Sequence, residues 1–131
     1  MHVVQTGPLR FVARTGIGIV TEPGPAPGEV RATPEPPEYF LASLGACTAV
    51  RVQLELARRN SAPVSLGVTI DGTCTPASPG GFESIHLAFT LAGTLDEATV
   101  ADAIREVVTR RLPIAVMMGG GVRFTWEQTM E

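Results

Sequence analysis

The chain contains no lysine; all ten of its basic residues are arginines. Schiff-base and lysine-nucleophile chemistry are therefore excluded. Cysteine is scarce, with only Cys47 and Cys74. Two thiols do not make a disulfide scaffold. The two histidines, His2 and His86, stand far in sequence from both cysteines. No zinc spacing can be written, and no metal is expected. Aromatic residues are few: five Phe, one Tyr and one Trp. The core must be built from Val, Leu, Ile and Ala. No uninterrupted apolar run approaches the ~20 residues that cross a bilayer, so no membrane is expected. The opening MHVVQTGPLR lacks the basic-then-apolar pattern of a secretory signal, and a cytoplasmic setting is expected. No basic block exists and the net charge is -3, which argues against nucleic acid as a partner.

What is present is enough apolar material for one compact domain over residues 1–131. The 131 residues are 44% apolar, with a mean hydropathy of +0.21 and low net charge, unlike a disordered chain. Residues 9–20, LRFVARTGIGIV, mix β-branched residues with glycine and read as two short strands about a turn near Thr15-Gly16. Six prolines between 21 and 37 block regular structure and predict an extended loop. Loops of that length in compact domains are often functional.

A long helix follows. Pro36 and Pro37 suit a first turn, Glu38 sets a negative charge at the positive helix end, and YFLASLGACTAVRVQLELARR contains no breaker. Phe40, Leu44, Cys47, Val50 and Leu54 recur at three- and four-residue spacing and predict one buried apolar face. Leu41, Thr48, Val52 and Leu56 widen it. Small residues at 42–49 let another backbone approach. A helix apolar nearly all round is a buried helix. Arg58, Arg59 and Asn60 give it a positive, polar end.

Beyond Pro63, VSLGVTIDGTC alternates as a strand with Val64, Leu66, Val68 and Ile70 on one face, and FESIHLAFTLAG reads as the returning strand of a hairpin. Thr94 with Glu97 is a candidate capping box for a second helix over 95–112, ended by Pro113. Val122, Phe124 and Trp126 mark a closing strand after a glycine turn. The predicted order is β-β-α-β-β-α-β. Antiparallel strands with two helices on one sheet make the class α+β.

Cys47 is the residue most suggestive of chemistry. On residue physics alone it is either a small core hydrophobe or a reactive thiol. Arg51, one turn later on the same helical face, would favour the thiolate or else reach solvent. Gly119-Gly120-Gly121 lacks the lysine and strand-to-helix setting of a phosphate loop, and no cofactor is expected. Met117 and Met118 read as core or dimer contacts. His86, between Ile85 and Leu87, reads as solvent-facing.

The segment PPEYFLASLGACTAVRVQLELARRN, residues 36–60, resembles the central-helix signature of the OsmC/Ohr superfamily, the osmotically inducible and organic-hydroperoxide-resistance proteins. The order of the remaining elements is similar along the whole chain. The resemblance implies an OsmC-like fold, an interlocked homodimer with its central helices buried together, and thiol-dependent reduction of organic hydroperoxides in oxidative-stress defence. Cys47 matches the peroxidatic cysteine. Glu38 matches a glutamate at the helix start. The partner arginine is Arg14, with Arg31 second. The family's second, resolving cysteine precedes a proline after the second helix, and here that dipeptide is Leu112-Pro113. An oxidised Cys47 would then need an external thiol reductant or suffer over-oxidation. The other reading is a non-enzymatic dimer that binds an apolar ligand in the interface cleft.

Overall fold

The computed structural model describes residues 2–7, 10–16, 18–21, 36–76, 81–110, 112 and 121–131. The expected loop between 21 and 37, Arg31, Pro113, Met117, Met118, Gly119 and Gly120 lie wholly or largely outside them. The chain forms two compact units, Met1–Phe40 and Leu41–Glu131.

The first unit holds a three-stranded antiparallel sheet. β1 is His2–Gly7, β2 is Arg10–Thr15 and β3 is Gly18–Thr21, in the order β1-β2-β3. The expected pair about Thr15-Gly16 is β2 and β3. β1 is an addition to the sequence reading. Its residues His2 to Thr6 are all exposed, including Val3 and Val4. A strand without a buried face lacks the alternation by which strands are recognised.

Helix α1, Pro36–Arg58, spans the boundary between the units and keeps Glu38 in its first turn and Arg58 in its last. Asn60 terminates it at φ 56°, the left-handed conformation that closes many helices, while Ser61 N–H donates to the Leu56 carbonyl.

In the second unit β4 (Ser65–Cys74), β5 (Phe82–Ala92) and β6 (Arg123–Met130) form a sheet in that order. β4 and β5 pair antiparallel, as expected of a hairpin. β6 runs parallel to β5, with Ser84 opposite Arg123 and Leu91 opposite Met130. This corrects the expectation of antiparallel strands on one sheet: the described strands form two sheets, and β6 is parallel to its neighbour. The crossover containing α2 (Glu97–Arg110) returns the chain to the starting end of β5, and such a connection gives a parallel neighbour.

Period-two alternation sorts this sheet cleanly. Leu66, Val68 and Ile70 of β4 stand in register with the buried Leu91, Phe89 and Leu87 of β5. Val64, expected on that face, precedes the strand and is exposed. Both helices pack here. A Cβ at Gly45 of α1 would meet Ile70 and Val68, and Gln128 of β6 donates to the Glu97 carbonyl at the start of α2. α2 buries Val100, Ala103, Ile104, Val107 and Val108 on one stripe. Its N-cap is Asp96, not Thr94: the Thr99 N–H donates to Asp96 Oδ2 at 2.8 Å. Bonds from the Thr99 hydroxyl and N–H hold the Asp96 carboxyl below its ordinary pKa.

α1 departs from the sequence reading in which face it buries. Leu44, Thr48, Val52, Glu55 and Leu56 are buried, and Gly45 lies among them. Val50 and Leu54, expected in the core, are 55% and 60% exposed. The helix is apolar nearly all round, so two stripes compete for the sheet. The one bearing Leu44, Thr48, Val52 and Leu56 meets the sheet, with Gly45 in ordinary contact with Ile70 and Val68.

Candidate functional site

Cys47 follows from that choice of face. It stands two residues after Gly45, about 200° around the helix axis, and so points away from β4. It is partly buried, and the exposed Ser43, Val50, Arg51 and Leu54 share its sector of the helix. The expectation of a core-facing cysteine is corrected: the thiol lies on the half of α1 that its own sheet leaves open. Arg51, one turn on, is exposed.

The other expected site residues are placed separately. Glu38 is exposed in the first turn of α1. Arg14 is exposed on β2, opposite His2 of β1 and Ile19 of β3, at a register shift between Ala13 and Arg14. Leu112, where the resemblance implies a resolving cysteine, is 2% exposed and part of the core. Cys74 is exposed at the far end of β4, beyond a second register shift. His86 is solvent-facing as expected, at 41% exposure. Its Nδ1 lies 2.7 Å from Thr125 Oγ1 and its Nε2 lies 3.7 Å from Glu127 Oε1. Among the described residues no three His, Cys, Asp or Glu side chains converge as a metal would require.

One cluster escaped the sequence reading. Glu55 lies on the inner face of α1, its side chain only 3% exposed. Arg58 Nη2 donates to Oε1 at 2.6 Å and Arg58 Nε donates to Oε2 at 3.1 Å, a two-point grip. Arg59 Nε adds a bond to Oε1 at 2.9 Å. The Arg58 bonds above all, opposed by burial and helped by Arg59, lower the Glu55 pKa to about 2. An acid followed at three and four residues by arginines was the available signal. The sequence reading takes Arg58 and Arg59 only as the positive end of the helix and does not single out Glu55.

Comparison with known proteins adds three findings. The family model described as OsmC-like protein matches residues 27–127. No curated protein matches the chain in sequence. Among solved structures, a hypothetical protein from Aquifex aeolicus superposes with a TM-score of 0.80 at 19% identity, covering 99% of this chain and 95% of that one. An OsmC like protein from Mycoplasma pneumoniae gives 0.79 at 16% identity, over 92% and 88%. The organic hydroperoxide resistance protein OhrB of Bacillus subtilis gives 0.69 at 16% identity, over 98% and 96%. At these identities the likeness is one of fold.

Proposed function

The chain belongs to the OsmC-like protein family, and from that membership we propose that it is a thiol-dependent reductase of organic hydroperoxides, a one-cysteine member acting in oxidative-stress defence. The observation that carries the reading is the position of Cys47, on the open, largely apolar face of the central helix and not in the core. An apolar surround suits the organic part of a hydroperoxide.

Cys47 as thiolate attacks the distal peroxide oxygen, the O–O bond breaks, and the alkoxide leaves as an alcohol after taking a proton. Arg14 stabilises the thiolate and the charge growing on the leaving oxygen, and Glu38 orients Arg14. Nine residues of α1 separate Glu38 from Cys47, two and a half turns, so helical periodicity sets them on opposite sides of that helix. A site using both takes Glu38 from a second copy of the chain. The uncovered Val50 and Leu54 support the same homodimer.

The test is consumption of cumene hydroperoxide with an excess of thiol. Cys47→Ser should abolish it, and Arg14→Ala should slow it by ~10²-fold or more if the guanidinium stabilises the leaving oxygen. The uncovered stripe also favours a second reading, an apolar-ligand protein with no chemistry at Cys47. Undiminished binding of a fatty acyl probe by Cys47→Ser, with no hydroperoxide consumed by the wild type, would select it.

A further inference from the structure

Resting on the reductase reading, we infer that oxidised Cys47 is resolved through a mixed disulfide with a thiol from solution, because the fold holds Cys74 out of reach and leaves no thiol after α2. Cys74 is the only other thiol in the sequence. Two contacts fix where it stands. Leu41 of α1 lies against Gly72 of β4, and Gly45 lies against Ile70 and Val68. As α1 advances, β4 recedes, so helix and strand run in opposite senses. Cys47 lies six residues beyond Leu41, about 9 Å along the helix. Cys74 lies two residues beyond Gly72 in the other direction, about 6–7 Å. The thiols are thus separated by about 15 Å along the elements, and Cys47 also points away from β4. A disulfide needs its Cα atoms within about 7 Å. The second alternative, the position after α2, is filled by the buried Leu112, which has no thiol.

The chemistry balances without a second protein thiol. The hydroperoxide oxidises the Cys47 thiolate to sulfenic acid and is itself reduced to an alcohol, with uptake of one proton. A monothiol then attacks the sulfenic sulfur; an S–S bond forms, the S–O bond breaks and water leaves. A second monothiol attacks the mixed disulfide, releasing the Cys47 thiol and a small disulfide. When thiol is scarce, further peroxide carries the sulfenic acid to sulfinic acid, which thiols do not reverse.

The experiment is intact-mass analysis of wild type and Cys74→Ser after one equivalent of cumene hydroperoxide, before and after addition of 2-mercaptoethanol, together with steady-state peroxide consumption by both. The expected result is a gain of one oxygen on Cys47, conversion to the 2-mercaptoethanol mixed disulfide, and equal turnover of the two proteins. A loss of two hydrogens from the wild-type monomer would overturn the inference while leaving the reductase reading intact. So would a covalent dimer through Cys74, or loss of thiol-supported turnover in Cys74→Ser. Cys47 left unoxidised would overturn the reductase reading and the inference with it.

Discussion

Among the described residues, Glu55 is the one charged side chain that is buried. Its carboxyl is held at about 2 in the folded chain against the ordinary 4.5. A pKa lowered by folding adds stability that is complete above the unfolded value and is lost as pH falls toward the folded one. Wild type should therefore lose stability between pH 4.5 and about 2, and Glu55→Gln should lose less across that window, as urea midpoints measured at each pH would show. At neutral pH the ordering reverses. Glu55→Gln replaces charged bonds by neutral ones and should cost about 1–3 kcal/mol. Removing both Arg58 and Arg59 deprives the carboxylate of both guanidinium groups and should cost more than Glu55→Gln. A double variant as stable as Glu55→Gln would mean that the carboxylate is solvated.

At the scale of elements, two glycines separate the contacts that require a missing side chain from those that do not. Gly45 sits in the small-residue run of α1, where a Cβ would meet Ile70 at 3.4 Å and Val68 at 3.7 Å, ordinary contact distances. Gly45→Ala should be tolerated, and the better helix propensity of alanine should add about 0.5–1 kcal/mol. Gly72 on β4 is different. A Cβ there would fall 2.4 Å from the Phe82 ring and 3.2 Å from Leu41. Gly72→Ala must turn the ring of Phe82 aside and disturb the seat of α1, at a cost of about 1–3 kcal/mol. Thermal unfolding of the two variants checks both signs. α2 depends on its cap in the same local way: Asp96→Ala should lower the melting temperature, whereas Thr94→Ala should leave it nearly unchanged, because the bond to the helix N-terminus comes from Asp96.

The whole molecule turns on the two stripes of α1. The inner stripe is spent on the β4-β5-β6 sheet. The outer one leaves Val50 and Leu54 more than half exposed on a helix whose Pro37–Arg58 segment is long and apolar enough to cross a bilayer by length and composition alone. That apolarity needs no membrane if a second copy covers the outer stripe. Sedimentation should then give twice 13.8 kDa at micromolar concentration, and Leu54→Glu should shift the protein toward monomer, since an isolated carboxylate is disfavoured in an apolar interface. If hydroperoxide reduction needs Glu38 from the partner, the Leu54→Glu monomer should lose that activity in step with dissociation. A wild-type protein that sediments as a monomer and still reduces hydroperoxide would rule out the shared site.

Much of this protein was legible in residue order, because the relevant rules are local. Proline and glutamate at 36–38 mark the start of α1, alternation at 65–74 and 82–92 marks the hairpin, and the segment around Cys47 carries the family signature that the match over 27–127 confirms. The structure decided what depends on a partner element. Period fixes which residues share a stripe, but not which of two apolar stripes meets the sheet, so Val50, Leu54 and Cys47 were read as inward. Strand direction depends on where the crossover returns the chain, so β6 became parallel only in three dimensions. β1, exposed along His2 to Thr6, had no buried face to record itself in the pattern. Glu55 is not singled out by the pattern, because its burial and its bonds to Arg58 and Arg59 exist only once the helix is packed.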